Sequence, residues 1–283
     1  MQIEKIVKSL TEMADAHCHL DLIPNPQLIK SSIESGVTTI ITDGVDTRSN
    51  IKALEIADGK NIFAALGIDP EHAITMSEEA LEKELQFNIS MARQSRSRII
   101  GIGEIGLDYK TDEWKEAADR QRLVFRKFIE VAKELRLPVS VHARSAMQEV
   151  LKILDEEKVS RVHLHFFEGT EKEAMSAVRR GYMISIPPIE SNRRRRIIAT
   201  VPIENLMAES DSPVVGESPK AVERSINMVA EAKGMKFEDA ARILTYNTRK
   251  FFGINGIATD RTRLMRWFSI IISFCFRYLL MGP

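Results

Sequence analysis

The 283-residue sequence has little cysteine, few aromatic residues and no formal net charge. Two cysteines, Cys18 and Cys275, cannot form a disulfide scaffold, and they predict a reducing, cytoplasmic compartment. Forty basic residues balance forty acidic ones, which excludes a globally basic nucleic-acid binder but leaves room for a local basic site. Aromatic residues make up only 6%, so a surface that stacks bases on aromatic rings is poorly supported. We expect no secretory signal, because residues 1–10 are mixed and charged.

Long apolar runs are also scarce, and the one candidate lies near the C-terminus. Residues 264–281 are apolar and aromatic, but Arg266 and Arg277 leave only 267–276 uninterrupted. A transmembrane helix needs about 20 apolar residues, so a span is disfavoured. We therefore predict that residues 258–283 form a hydrophobic, basic extension of unknown role. It would pack on the rest of the fold or on another subunit, anchor at a membrane surface, or be a poorly ordered or non-native tail.

The rest of the chain alternates short apolar runs with amphipathic stretches. The stretch 112–136 is typical of one helix, with a buried stripe that we expect to include Leu123, Phe125, Phe128 and Leu135. Eight strand–helix units predict an α/β fold, a (β/α)₈ TIM barrel in one domain over residues 1–257. A doubly wound sheet is the alternative, but it usually has fewer strands and a Gly-rich turn after the first. The predicted strands are residues 13–19, 38–43, 62–68, 99–107, 138–143, 162–167, 182–186 and 205–210.

Five of the six histidines fall within these predicted strands, most of them near the carboxyl ends, where a barrel carries its active site. His17 and His19 are two residues apart in one strand and therefore share a face, which suits a divalent metal ion. Two partly buried, hydrogen-bonded strand histidines are the alternative. Alternation directs Cys18 to the other face, where we expect a small core residue.

Four further strands present acidic or imidazole side chains at the same end. Glu104 lies in an apolar, Gly-rich strand, where a buried carboxylate requires a cation. That cation would be one metal ion, a pair of metal ions that the two carboxylate oxygens bridge, or the side chain of a Lys or Arg. His142 and His165 end the fifth and sixth predicted strands, with His163 one layer deeper as a packed or supporting residue. Asp211 follows the eighth strand, where it could bind metal and accept a proton from water, or cap a turn.

Taken in order, the motifs resemble those of the TatD family of metal-dependent hydrolases, which are amidohydrolase-like TIM barrels. The similarity extends over residues 13–252. It implies a divalent-metal phosphodiester hydrolase, a deoxyribonuclease of 3'–5' exonuclease type, with one or two Zn, Mn or Mg ions. Residue by residue, it implies Asp211 as general base, Glu104 as a second catalytic residue, and six metal ligands. The motifs that carry it are Asp15-Ala16-His17-Cys18-His19-Leu20-Asp21, Gly103-Glu104-Ile105-Gly106-Leu107-Asp108-Tyr109, Pro138-Val139-Ser140-Val141-His142-Ala143-Arg144, His165-Phe166-Phe167-Glu168-Gly169 and Glu209-Ser210-Asp211-Ser212-Pro213. The implied ligands are His17, His19, Glu104, His142, His165 and Asp211.

The sequence departs from the family pattern at two places. Gly67-Ile68-Asp69-Pro70 has Asp69 where the family has a histidine, and His72 follows three residues later. Phe166 and Glu168 replace the Cys and Ser that commonly follow the sixth-strand histidine. An acidic pocket does not favour a polyanion. A small-molecule hydrolase acting on an amide, lactone or phosphoester therefore stays open, with a non-enzymatic metal-binding scaffold as the least favoured alternative.

Four residues are predicted to bind substrate: Arg144, Asp69, His72 and Arg193. Arg144 directly follows His142 and is suited to one phosphate, or else to an ion pair with a nearby carboxylate. Arg193 begins a run of four arginines that could bind phosphates, although such runs are often solvated helix starts. The expected partner is DNA or another phosphoester, and no stable protein partner is predicted.

Overall fold

Eight parallel strands form one sheet whose spatial order follows the chain. The computed structural model describes residues 11–254. Nearly every strand residue is buried, as expected where side chains fill the barrel on one face and meet helices on the other. The predicted TIM barrel is thereby confirmed. The strands are β1 (Met13–Cys18), β2 (Val37–Asp43), β3 (Ile62–Leu66), β4 (Ile99–Asp108), β5 (Val139–Arg144), β6 (Val162–Leu164), β7 (Met183–Ile186) and β8 (Leu206–Ala208).

Backbone hydrogen bonds join the chain after β8 to β1 and so close the barrel. Asp211 N donates to His17 O at 3.1 Å, and His19 N donates to Ser212 O at 2.7 Å. Two predicted metal-binding segments therefore lie side by side where the first and last strands meet.

Helices follow the strands and cover the outside of the sheet. Several begin at a polar side chain that accepts a backbone N–H, which satisfies donors that a helix start leaves free; Asp46, Thr170 and Ser191 act in this way. The helices are α1 (Pro26–Glu34), α2 (Thr47–Ile56), α3 (Pro70–Thr75), α4 (Glu78–Gln94), α5 (Asp112–Glu116), α6 (Ala118–Leu135), α7 (Met147–Glu156), α8 (Glu171–Arg179), α9 (Asn192–Thr200), α10 (Val222–Lys233) and α11 (Phe237–Phe252), with 3₁₀ turns at Leu20–Leu22, Ile203–Asn205 and Pro219–Ala221.

The single helix predicted over 112–136 is wrong in two respects. It is divided at Ala117 into α5 and α6. Leu123, predicted to be buried, is 48% exposed, whereas Phe125 and Phe128 are fully buried. The reason is that Gln121 occupies the inward position, where its side chain bonds the backbone N and O of Asp108 and the buried face is thereby rotated away from Leu123.

Strand ends differ slightly from the predicted ones around the site. His19 and His165 each lie one residue beyond the last strand residue, Cys18 and Leu164. After each of these two strands the chain turns across the end of the barrel, so the two imidazoles lie above the packed interior. His72, expected in a loop, lies in α3, the short helix that Asp69 caps.

The C-terminal extension predicted at 258–283, its boundary at 257 and Cys275 lie outside the described residues. Within residues 11–254, no helix combines the length and apolar character needed to cross a membrane.

Candidate metal centre

The structure brings all six predicted ligands together at the carboxyl ends of β1, β4, β5, β6 and β8. Five are buried, and His142 is partly exposed toward a cavity. Their residue types, imidazoles and carboxylates, suit Zn, Mn and related divalent ions.

Glu104 lies between two groups of imidazoles and presents one carboxylate oxygen to each. Its Oε1 is 2.9 Å from both His142 Nδ1 and His165 Nε2. Its Oε2 is 3.4 Å from His17 Nε2 and 3.6 Å from His19 Nε2. Ligand atoms about 2.0–2.1 Å from a tetrahedral ion stand about 3.3 Å from one another. The separations around Glu104 therefore fit ions held between these atoms.

Asp211 completes the group on the side of β1. Its Oδ1 lies 3.5 Å from His19 Nε2 and 3.9 Å from His17 Nε2. Among the described residues, His17–His19–Asp211 and His17–Glu104–His165 are two sets whose ligand atoms lie close enough to hold an ion. Asp211 has the left-handed φ of +46°, which directs its carboxylate back over β1.

Two aspartates that the sequence reasoning missed hold the outer nitrogens of these rings. Asp43 Oδ2 lies 3.2 Å from His17 Nδ1, and its carbonyl oxygen lies 3.0 Å from His19 Nδ1. Asp108 Oδ2 lies 3.0 Å from His142 Nε2. A carboxylate or carbonyl at the outer nitrogen sets the tautomer, so the inner nitrogen carries the lone pair that a metal needs. The sequence shows only that Asp43 and Asp108 each end a strand at the barrel face that carries the predicted ligands; the ring that each one contacts is set by the assembled barrel.

Burial and neighbouring carboxylates have opposite effects on how tightly these histidines hold their protons. Burial alone would lower the pKa of the histidines, but neighbouring carboxylates reverse this effect. Asp211 and Glu104 raise the pKa of His19 to about 9, and Asp108 and Glu104 raise that of His142 to about 10. Burial would raise the pKa of Glu104, yet the imidazoles around it hold that pKa well below its ordinary value. Metal ions would replace these protons and satisfy the same carboxylates.

His165 differs from the other ligands. Burial and the nearby His17 lower its pKa, and its Nδ1 is buried without a hydrogen-bond partner among the described residues. A neutral ring whose Nε2 faces Glu104 is already in the form that binds a metal ion.

His163 is a packed residue and not a ligand, in agreement with its expected deeper position. It is fully buried between two serines, with Ser140 Oγ 3.2 Å from Nδ1 and Ser185 Oγ 2.7 Å from Nε2. Ser185 also donates to Glu209 Oε2 at 2.5 Å. Burial and the charge of Asp211 raise the pKa of Glu209 to about 8. A polar network therefore lies directly beneath the metal centre.

A second buried carboxylate holds the segment that carries Asp211. Asp15, at the amino end of the His17 motif, accepts Ser210 N at 2.7 Å and Ser210 Oγ at 2.5 Å. Burial raises the pKa of Asp15 to about 7, although the Ser210 hydrogen bonds partly offset this. The pair fixes the residue next to Asp211 against β1.

The glycine after Glu104 permits close approach of two site strands. Gly106 has a φ of +142°, and a Cβ there would lie 2.1 Å from His142 O. Any other residue would push β5, and with it His142, away from Glu104.

A cavity of about 540 Å³ opens over the ligands, and three of the four predicted substrate residues line it. Arg144 is exposed there, and its guanidinium has no ion-pair or hydrogen-bond partner within residues 11–254. Asp69 Oδ1 accepts from His72 N at 2.8 Å and lies 2.7 Å from His72 Nδ1, and Asp69 belongs to neither metal group. Lys110, which the sequence reasoning missed, also lines the cavity.

The prediction that Arg193 binds substrate is not supported by its position. It lies in α9, outside the cavity wall, and its Nε donates to Gly169 O at 3.1 Å. Its neighbours Arg195 and Arg196 pair with Glu190 and Glu171. The run of four arginines lies at the start of a helix, which is the alternative to phosphate binding given for it above.

Comparison with known proteins is consistent with this site. The family model for TatD-related DNases matches residues 14–253. The chain belongs to the TatD-related DNase family. The matched range contains every predicted ligand.

Several TatD-family relatives are similar over most of their length. The metal-dependent hydrolase YabD of Bacillus subtilis (strain 168) is 31% identical over 262 residues, which is 85% of this chain and 99% of YabD. The Homo sapiens deoxyribonuclease TATDN3 is 29% identical over 262 residues, 85% of this chain and 94% of that protein. The crystal structure of YJJV, a TatD homologue from Escherichia coli K12, has a TM-score of 0.78 at 23% identity, covering 86% of this chain and 99% of that one. The last comparison supports the barrel fold.

Proposed function

We propose that this TatD-family chain is a divalent-metal-dependent phosphodiesterase that removes nucleotides from the end of a DNA strand. The observation that carries the proposal is the position of Glu104, with one oxygen toward His17 and His19 and the other toward His142 and His165. Such an arrangement suits two adjacent ions, a design that recurs in enzymes cleaving phosphoesters. A relative named as a deoxyribonuclease supports the choice of substrate.

Ions bound at this site would supply Lewis acidity and lower the pKa of water. The chain's own residues supply the remaining functions. Asp211 lines the cavity beside the other predicted ligands, where its carboxylate can accept the proton of an attacking water. Arg144, unpaired at the cavity wall, can bind a non-bridging oxygen of the phosphate next to the scissile one. The water oxygen forms a bond to phosphorus while the bond from phosphorus to the leaving oxygen breaks with its electron pair on that oxygen, which takes a proton from solvent.

The size of the cavity favours a strand end over an internal site. Its volume, about 540 Å³, lies within the range of small-molecule pockets, about 300–1,000 Å³. A cavity of that size accepts the terminal part of a single strand and not a length of duplex.

The test is hydrolysis of a 5'-labelled single-stranded oligonucleotide by protein loaded with Mn, Mg or Zn. We expect nucleotides to be released from the 3' end, and we expect Asp211→Asn to reduce the rate by about 10²-fold or more. A fully loaded protein that releases no nucleotide under any of the three metals would contradict the proposal.

A second candidate is hydrolysis of a small amide, lactone or phosphoester. It is favoured by the acidic side chains Asp69, Glu71 and Glu168, which line the cavity beside the ligands. A panel of such substrates distinguishes it, since a nuclease would leave the amides and lactones intact. The third candidate is a non-enzymatic metal-binding scaffold. It is ruled out if the wild-type protein turns over a substrate and His17→Ala/His19→Ala loses that turnover while its fold stays intact.

A further inference from the structure

The most exposed apolar side chains of the cavity lie on one side of it, next to the predicted metal ligands, while Ala143 and Phe166 are partly exposed elsewhere on its wall. Among the described residues, eight large apolar side chains are exposed, and two of them, Leu22 at 53% and Val214 at 65%, line this cavity. Val45 and Val215, both partly exposed, lie on the same wall. We call Leu22, Val45, Val214 and Val215 the apolar wall.

The order of strands explains why these residues are neighbours. Val214 and Val215 follow β8, Leu22 follows β1, and Val45 follows β2. Because β8, β1 and β2 are consecutive around the closed barrel, their loops form one continuous sector of its mouth.

The cationic side chains of the cavity lie on the other side of that mouth. Arg144 ends β5, and Lys110 follows β4, where its Nζ lies 3.5 Å from the centre of the Trp114 ring and 3.9 Å from Glu71 Oε2. In an eight-stranded barrel, β5 is four strands from β1 in either direction. The ligands Glu104, His142 and Asp211 therefore lie between an apolar sector and a cationic one.

We propose that the apolar wall is the subsite for the terminal nucleobase of the substrate, with the scissile phosphate over the ligands and the next phosphate on Arg144 and Lys110. A nucleobase has an apolar face and a nearby anionic group, which matches the order of surfaces across the mouth. Aliphatic side chains have no hydrogen-bonding groups with which to distinguish one base from another, so the subsite is indifferent to sequence. This inference rests on the proposed function only in taking the reacting group to be a phosphate.

The test compares binding of thymidine 5'-monophosphate with that of inorganic phosphate, by calorimetry on the Mn²⁺-loaded protein. The variant is Leu22→Ser/Val214→Ser, and the matched control is Phe87→Ser, whose side chain is also 53% exposed but lies in α4 outside the cavity wall. All three side chains are exposed, so the fold should persist, which the thermal midpoint checks.

We expect the double variant to bind the nucleotide roughly tenfold more weakly, the effect of removing about 55 Å² of apolar contact, with phosphate affinity unchanged. Phe87→Ser should change neither affinity. The inference is overturned if the nucleotide binds wild type no more tightly than phosphate does, or if the double variant leaves the ratio of the two affinities unchanged. Nucleotide binding that depends on the apolar wall in a protein that hydrolyses no diester would refute the proposed function and leave the subsite standing.

Discussion

Metal binding should release protons, and the number released can be estimated from the environment of each ligand. At pH 7, His19 and His142, with pKa values of about 9 and about 10, are protonated in the metal-free protein. Burial would lower the pKa of His17, but Asp43 and Glu104 raise it well above its ordinary value, which makes it the candidate for a third displaced proton. A metal ion requires the neutral ring. We therefore expect about two to three protons to be released when the site fills at pH 7.

The energetic effect follows from the same values. Displacing a proton from His19 at pH 7 costs about 3 kcal/mol of metal affinity, and from His142 about 4 kcal/mol, because each pH unit corresponds to about 1.36 kcal/mol. The dissociation constant should accordingly fall by about tenfold per pH unit for each proton displaced, up to about pH 9.

Calorimetric titrations in buffers of different ionisation enthalpy measure the released protons directly. His142→Ala should release about one proton fewer than wild type. His72→Asn is the matched control, since Asp69 also raises the pKa of His72, but its ring lies against Asp69 and Asp46 and not against Glu104, which His142 contacts. Two results would refute the idea that metal ions displace protons from these imidazoles. One is the release of less than half a proton at pH 7, and the other is the release of as many protons by His142→Ala as by wild type.

Three further predictions concern other parts of the site. Glu104→Gln should lower the bound metal content and reduce turnover by at least about 10²-fold, measured by elemental analysis beside a hydrolysis assay, since one residue faces both imidazole groups. Asp15→Ala should lower the free energy of unfolding in urea by about 1–3 kcal/mol, because Ser210 N loses its buried acceptor; an unchanged midpoint would argue against that role. Asp69→Asn should move the pKa of His72, now raised by their hydrogen bond, back toward its ordinary value in a proton NMR titration. The Asp69–His72 pair contributes its full stabilisation to the wild-type fold below about pH 6.5, and this stabilisation is lost as the pH rises through the raised pKa of His72. Asp69→Asn should therefore destabilise the fold least at alkaline pH.

The strands and the grouping of the six predicted ligands at one end of the barrel could be anticipated from the sequence because both depend on local patterns. A period of two along one strand places His17 and His19 on one face, and parallel strands bring their carboxyl ends to one edge. The roles of Asp43 and Asp108 could not be predicted in the same way. Each is defined by contact with a ring from another strand, and only the assembled barrel sets that contact.

Two errors have the same origin. Leu123 fits a helical stripe in isolation, but Gln121 takes the inward position because it bonds Asp108 at the end of β4. Arg193 follows a strand at the correct end of the barrel, but α9 begins there and carries the arginine run outside the cavity wall. In both cases a tertiary contact decided between two locally acceptable interpretations.

The junction between β8 and β1 also constrains how the site forms. Asp15 and Ser210 are 195 positions apart in the chain, and their hydrogen bonds form only when the two ends of the barrel meet. Contacts of such long sequence separation carry a loop-closure cost and slow folding. A chain emerging from the ribosome therefore holds His17 and His19 from the start but gains Asp211 only after all eight strands have been made. This centre cannot catalyse a reaction until synthesis of the barrel is nearly complete. Activity is therefore a sensitive measure of correct folding.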